Sequence, residues 1–513
     1  MRHQNRIGMP LIVSVVAQHD SARRVITVRQ LRKSKSHSTF IENTRIFHSP
    51  LALCRAMTTR QREFLRRANR RWTAQDFAGA LIPISTAVAV AFFFVDGGAK
   101  NFLDIVTLPY GVGVVSGLIG TNLFLVMMVL AARVPVIDSL FGHDRALDLH
   151  KKLGKPVLYL LLVHMAALIV DYASRVNTDL WSEVVTMLGV NDLLLSFLSM
   201  GVMVLIVITS LVAVKKVLPH GVWHIIHLMS YVAMYLGIFH QFTQGTLFAE
   251  GTAGRAYWLG LYVVATGSIV LFRLIVPILR SVRHALIVES VVVEGPGTVS
   301  ITMRGRGLTA AGFRAGHFAH WRFLAPTLWR EAHPFSISAA PTNDRVRITV
   351  RELGDSTSLL QHVRPGTAVW FEGPYGVFTE SERTTSRVAL IGSGIGLAPI
   401  RALVESMDVQ PGELTVIGRA RSDEELFLMD EIIRIVHAKQ GTVYTLTGSR
   451  GRRTPWLPWD ESERGVSIST IIDRPSEVDF YLCGPEAWMN SLVADLRSAG
   501  VPPHRIHNEQ FAW

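Results

Sequence analysis

Four histidines stand inside long apolar stretches of this 513-residue chain, His150 and His164 in one, His227 and His240 in another. An ionisable or metal-binding side chain within a bilayer is costly, so each of them asks for a function. On a helix, the 14 residues from His150 to His164 make about 3.9 turns, which puts both imidazoles on nearly one face, about 21 Å apart. Neutral imidazole is a nitrogen donor to iron, and donors at two depths suit two stacked haems. The two stretches run in the same direction, so His150 faces His227 towards one leaflet and His164 faces His240 towards the other. The second pair is geometrically weaker: 13 residues are about 3.6 turns, which leaves those side chains more than a third of a turn apart. His224, one turn before His227, is a rival ligand that fits no better. Histidine on both faces of an iron suits electron transfer rather than oxygen binding.

A second set of motifs lies in the C-terminal half. His333-Pro334-Phe335-Ser336-Ile337-Ser338 is followed by Arg351-Glu-Leu-Gly354-Asp355-Ser356-Thr357 and by Glu372 to Gly376. Gly392-Ser-Gly394-Ile-Gly396-Leu-Ala-Pro399 follows an apolar strand and opens a helix, the context a dinucleotide loop requires, with glycines permitting a tight turn and close approach to phosphate. Cys483-Gly484-Pro485 closes a later strand, and the chain ends Glu509-Gln-Phe511-Ala-Trp513. Taken singly these have ordinary readings. Pro334 breaks a strand in any case, and an isolated cysteine is most often a small buried hydrophobe.

The elements that position these residues follow from composition. A hydrophobic fraction of 49%, a charged fraction of 18% and a mean hydropathy of +0.29 describe a chain partly embedded in membrane. Two cysteines, Cys54 and Cys483, exclude a disulfide scaffold. Six segments can each span a bilayer, near 76–96, 109–132, 149–171, 191–214, 219–243 and 256–279. Lys and Arg gather on one side of them, at 133, 145, 151, 152, 155, 215, 216, 273, 280 and 283, against 100, 175 and 255 on the other, so the first side and both termini are cytoplasmic. Residues 1–75 hold 16 Lys and Arg against three acids, so the net charge of +12 belongs to an arm beside a membrane and points to lipid headgroups, not nucleic acid. Within that arm, Met57 is a candidate start that would leave 1–56 untranslated. The segment it opens carries Phe64, Leu65, Ala68 and Trp72 at helical spacing among six arginines, as in a helix lying on an anionic leaflet. From about 284 the apolar period becomes alternating, the mark of an antiparallel β-barrel, and from about 386 short strands alternate with helices, a doubly wound parallel sheet. The stretch 450–475 reads as a long loop.

In their order over some 440 residues, the motifs resemble the NADPH oxidase and ferric reductase superfamily, whose members join a six-helix, two-haem membrane domain to a ferredoxin-NADP reductase type module. The resemblance covers 76–513. It implies a multidomain membrane protein with a six-span transmembrane haem bundle at 76–283, an FAD-binding β-barrel at 284–383 and a doubly wound α/β NAD(P)-binding domain at 384–513, preceded by the leader 1–75. It implies haem ligation by His150, His164, His227 and His240. Phe335 would lie against the flavin ring and Ser336 would hydrogen-bond near its redox-active nitrogen, with His333, Pro334 and Ser338 completing the motif. Arg351, Gly354 and the hydroxyls of Ser356 and Thr357 would bind the pyrophosphate at a helix start. The loop Gly392, Gly394, Gly396 and Pro399, together with Cys483, Gly484 and Pro485, would hold the nicotinamide nucleotide, with Cys483 touching the carbon that gives up hydride. Arg419 and Arg421 stand where the family reads the 2'-phosphate, favouring NADPH over NADH. Glu509 and Phe511 match a terminal E-x-F whose ring covers the flavin, although the added Ala512 and Trp513 leave open which ring does so.

The resemblance implies an oxidoreductase of the plasma membrane that passes electrons from cytosolic NADPH through FAD and two b-type haems to an acceptor across the bilayer. A ferric chelate stands slightly ahead of dioxygen, whose reduction would give superoxide. Asp171, Asp179, Glu183 and Asp192 near the outer face are candidate attractors of cationic iron. Supply of electrons to a protein partner, and a haem-binding redox sensor, are the readings from other classes.

Overall fold

The computed structural model describes residues 59–211, 214, 216–244 and 249–509, so Met57, Cys54 and Phe511 lie outside the described residues. The chain forms two compact units, one of Arg71–Leu279 and one of Arg280–Trp513 together with the start of the first helix up to Arg70.

Among the described residues, six helices are long and apolar enough to cross a membrane: Arg62–Val95, Leu108–Ala131, Arg145–Val176, Asn191–Ser210, Gly221–Gln244 and Ala253–His284. They belong to α1 (Thr59–Val95), α2 (Leu108–Ala131), α3 (His143–Val176), α5 (Asn191–Ser210), α6 (His220–Gln244) and α7 (Ala253–Ile269), the last continuing through a π-helical turn at Val270–Ile275 into α8 (Val276–His284). The third is longer than its apolar stretch. It ends where Asn177 turns left-handed, and Asp179 then caps the short α4 (Leu180–Leu188) by accepting from the Trp181 and Ser182 amides at 3.0 and 3.1 Å. The unit's core joins Ala89 and Phe93 of α1, Leu118 and Phe124 of α2, Val157 of α3, Met203 of α5, Ala233 of α6 and Trp258 of α7.

In the other unit, six antiparallel strands run in the order β4-β3-β6-β1-β2-β5: β1 Leu286–Gly295, β2 Thr298–Arg304, β3 Phe318–Phe323, β4 His333–Ser336, β5 Arg345–Arg351 and β6 Ala368–Tyr375. Burial alternates along β3 and β6, which turns Ala319, Trp321, Phe323, Val369 and Phe371 into one core. A single antiparallel bridge, Ile337 to Ile348, joins the end of β4 to β5 and so links the two edges of the sheet. Five parallel strands follow in the order β11-β10-β7-β8-β9: β7 Arg387–Ser393, β8 Leu414–Ala420, β9 Thr442–Thr447, β10 Val478–Cys483 and β11 Ile506–Glu509. Between them come α9 (Asp355–Leu360, ahead of β6), α10 (Leu397–Ser406), α11 (Met429–Ala438), α12 (Trp459–Glu463), α13 (Ile468–Ile471) and α14 (Glu486–Ser498).

Two expectations are corrected here. The stretch 450–475 is not a loose loop: α12 and α13 fold within it, Trp456 is fully buried, its indole donates to Asp495 at 2.9 Å, and the Trp488 indole donates to the Trp456 carbonyl at 2.9 Å. An indole with a paired N–H can be core, and two of them anchor this segment. The start of α1 is not wholly a lipid-facing surface either. Phe64 is buried beneath the Arg383 guanidinium, 5.0 Å from its ring, and Arg60 pairs with Asp408 at 3.0 Å and Glu413 at 3.3 Å.

Candidate functional site

The structure brings the four membrane histidines together in two pairs. The ring centres of His150 and His227 are 6.0 Å apart and those of His164 and His240 are 6.1 Å apart. His224 is exposed. His150 Nδ1 lies 3.1 Å from the Met127 carbonyl and His164 Nδ1 lies 2.7 Å from the Gly113 carbonyl, both on α2. A carbonyl only accepts, so each Nδ1 carries the proton and each Nε2 keeps its lone pair. His240 reaches the same tautomer differently. Its Nδ1 is 2.7 Å from Ser196 Oγ, and that hydroxyl spends its own proton on the Asp192 carbonyl at 2.8 Å, leaving the oxygen to accept. His227 stacks on Trp223, with ring centres 5.1 Å apart.

A cavity of about 340 Å³ lies between the helices, lined by both His164 and His240 and by apolar groups such as Phe124, Leu168, Phe197 and Trp258. Its wall on α2 depends on small residues. A Cβ on Gly117 would strike the His164 ring, 2.7 Å from its Cε1, and on Gly113 or Gly120 it would meet Leu168 or Leu161 at 2.9 and 3.0 Å. The G-x-x-x-G spacing from Gly113 to Gly117 was the available signal for this close helix contact. Metal–imidazole bonds of about 2 Å, with each ring centre about 1 Å behind its nitrogen, put the ring centres of two ligands about 6 Å apart. The residues therefore fit a metal centre held between two imidazoles, with an apolar cradle for a flat macrocycle at the second pair.

In the other unit His333 to Ser336 form β4. Phe335 and Ser336 are buried, and the Phe335 carbonyl accepts from the Trp321 indole at 2.9 Å. The Ser336 hydroxyl and His333 Nε2 are buried with no partner among the described residues, and both suit the polar edge of a flavin. Burial lowers the His333 pKa, so the ring is neutral at pH 7. Ser338 is engaged otherwise: Arg347 donates to its hydroxyl at 3.3 Å and to its carbonyl at 3.0 Å. Arg351 pairs with Glu425 at 2.8 Å beside Gly394. Gly354 has extended backbone with open space about it. Thr357 departs from its expected role, because its hydroxyl accepts from the Leu353 and Gly354 amides at 2.8 and 3.1 Å and donates to the Gly354 carbonyl. It shapes the turn rather than facing an oxygen of a ligand. The Ser356 side chain lies outside the described part.

Gly392, Gly394 and Gly396 carry the chain from β7 into α10, where Pro399 is buried. Gly394 is left-handed, and a Cβ on Gly396 would meet the Cys483 carbonyl carbon at 2.5 Å. A Cβ on Gly484, just before Pro485, would meet the Trp488 ring at 2.9 Å. Cys483 pairs with Gly392 across one strand boundary and with Glu509 across the other. Burial, then the Glu509 charge, push the Cys483 thiol far up, so it stays protonated and is no nucleophile.

Arg419 is a further correction. Its side chain is buried and donates to the carbonyls of Ala420, Leu446, Gly448 and Ser449, so it fastens β8 to the turn after β9 instead of facing a phosphate. Burial first, and then the Arg450 charge, lower its pKa. Arg421 is exposed. Sequence reasoning also missed Asp479, which accepts from the Thr384 and Thr385 amides at 2.7 and 2.6 Å and from His507 at 3.1 Å, binding β10 and β11 to the segment entering β7.

Residues 116–238 match the family model of the ferric reductase like transmembrane component, and residues 288–379 match that of an FAD-binding domain. The chain has the architecture of the NADPH oxidase and ferric reductase superfamily. A flavohemoprotein of Xylella fastidiosa is 30% identical over 210 residues, 39% of this chain and 51% of that protein. The ferredoxin reductase component of a 3-ketosteroid-9-alpha-monooxygenase from Rhodococcus rhodochrous is 26% identical over 207 residues, 39% of this chain and 56% of that protein. The chain thus spans about half the length of the curated relatives it matches. Among solved structures, the FAD/NAD binding domain of a nitric oxide dioxygenase from Vibrio cholerae is 22% identical, with a TM-score of 0.36, over 45% of this chain and 99% of that one.

Proposed function

We propose that this protein is a transmembrane NAD(P)H oxidoreductase, carrying electrons from a nicotinamide nucleotide in the cytosol to an acceptor on the far side of the plasma membrane. The observation that carries the proposal is the pair of histidine couples, 6.0 and 6.1 Å between ring centres, in one chain with a flavin and nicotinamide module. His150 with His227 and His164 with His240 would each hold a b-type haem. Phe335, Ser336 and Arg351 would hold FAD, and the Gly392–Gly396 loop with Cys483 and Gly484 would hold NADPH, with Arg421 as the candidate reader of its 2'-phosphate. Nicotinamide gives two electrons as hydride, flavin takes the pair and releases them singly, and haem iron accepts one at a time.

The chain's own residues supply positioning and exclusion of water. Met127, Gly113 and Ser196 fix three imidazoles with Nε2 unprotonated. Cys483 presents a neutral, fully buried thiol, and Ser336 an unpaired hydroxyl. The excess of Lys and Arg on one side of the spans supports a cytoplasmic placement of that side and of both termini.

The proposed acceptor is a ferric chelate, with dioxygen as the alternative. Two of the outer acids are otherwise occupied, since Asp171 is buried against Arg175 at 2.7 Å and Asp179 caps α4, which leaves Glu183, lining the cavity, and Asp192. The test is an anaerobic visible spectrum of the detergent-purified, FAD-supplemented chain before and after NADPH, alongside His164→Ala and His240→Ala. Reduction of six-coordinate b-type haem, with about half the haem missing from each variant, is the expected result. Haem that NADPH leaves oxidised refutes the proposal. Oxygen-dependent superoxide formation indifferent to added ferric chelate would replace the acceptor.

A further inference from the structure

Three of the paired histidines have an Nδ1 whose acceptor is plain, and they are not held alike. His150 and His164 donate to main-chain carbonyls of α2, groups that no side-chain substitution removes. His240 has a side chain at its Nδ1, the hydroxyl of Ser196 on α5 at 2.7 Å, besides the main-chain carbonyl of Gly237 one turn back. That hydroxyl is itself oriented by donating to the Asp192 carbonyl one turn earlier, so its lone pairs, not its proton, face the ring.

We infer that Ser196 is a positioning residue for His240. Its oriented oxygen fixes the imidazole with the proton on Nδ1 and Nε2 directed into the cavity, and it sets the donor strength of that nitrogen. The inference rests on the proposed haem ligation. An acceptor behind Nδ1 draws the N–H proton and makes Nε2 the more basic ligand, which stabilises the more highly charged ferric state. Taking the hydroxyl away weakens the ligand, so the potential of the iron on the His164 and His240 pair rises. The iron on the His150 and His227 pair does not sense the change.

The decisive variants are Ser196→Val and Ser196→Thr in the full chain, which differ from each other only in a hydroxyl against a methyl. Threonine can keep the same bond to the carbonyl one turn back. The readouts are haem per chain and a redox titration followed in the visible spectrum and by electron paramagnetic resonance. Ser196→Val is expected to raise one of two midpoint potentials by about 59 mV, the one-electron equivalent of a roughly tenfold loss of preference for ferric iron, while the other stays put. Loss of one haem from Ser196→Val with its retention in Ser196→Thr supports the inference equally. Two haems with unshifted potentials in Ser196→Val overturn it, as does a Ser196→Thr variant that behaves like Ser196→Val. If Ser196→Val does not fold, Ser196→Thr alone decides, since it must then reproduce both wild-type potentials. A wild-type chain without two haems would instead overturn the ligation itself.

Discussion

Replacing Gly396 by alanine tests whether the dinucleotide loop and the Cys483–Gly484 turn form one device. Gly396 has ordinary right-handed backbone, φ −60, so alanine is conformationally welcome and only space opposes it. The added Cβ would lie 2.5 Å from the Cys483 carbonyl carbon and 2.9 Å from the Gly484 nitrogen, where ordinary contact begins at 3.4 Å. The Cys483 carbonyl oxygen lies closer still, so relief requires loop and turn to part by more than about 0.9 Å. Neither yields easily, because both are main chain and the β7 and β10 register, Cys483 opposite Gly392, fixes them. Overpacking of this kind costs about 1–3 kcal/mol, and a misplacement of about 1 Å beside the reacting atoms costs roughly 100-fold in rate. Stopped-flow bleaching of the flavin by NADPH should therefore slow about 100-fold, and the variant should melt a few degrees lower. Wild-type bleaching and melting in Gly396→Ala would refute the reasoning.

Gly117→Ala should displace α2 from the His164 ring and release one of two haems, counted as haem per chain, while NADPH still bleaches the flavin. Asp479→Asn should cost about 3 kcal/mol at pH 7 in thermal or denaturant unfolding. Burial pushes the Asp479 carboxyl up, but the His507 hydrogen bond and charge and the two threonine amides outweigh it, so its pKa lies below the ordinary carboxylate range. A depressed acid stabilises above its unfolded value of about 4 and loses that contribution as pH falls through its folded value. Wild type should therefore lose stability in that acid window, and Asp479→Asn should flatten the loss. Arg421→Ala should raise KM for NADPH about tenfold with KM for NADH unchanged, whereas Arg419→Ala should lower the melting temperature and move both nucleotides together.

The spans, the two β architectures and the facing of the histidines were legible because they depend on local period and on depth along a helix. The 13-residue spacing of His227 and His240 made their helix the geometrically weaker of the two, yet both ring pairs stand about equally far apart. What stayed hidden was set by partners that the sequence pattern does not mark, most of them distant. Arg419 looked like a reader of the 2'-phosphate because its acceptors, the carbonyls of Leu446, Gly448 and Ser449, carry no side-chain signature. Thr357 looked like a ligand because a hydroxyl near a glycine turn reads the same whether it meets a phosphate or its own backbone. Trp456 lay in a stretch whose prolines and arginines masked its core role, and Ser196 was one serine among several in an apolar helix.

The pairing of Arg60 with Glu413 spans 353 residues. A ribosome adds about 5–20 residues per second, so Arg60 is made roughly 20–70 s before the acid it will meet. During that interval the first turns of α1 present Phe64 and their arginines, of which Arg67 already has Glu63 of the same helix as its partner, to anionic headgroups as a further counter-charge. Closure of this contact is therefore a late event of biosynthesis, open only to chains translated beyond residue 413.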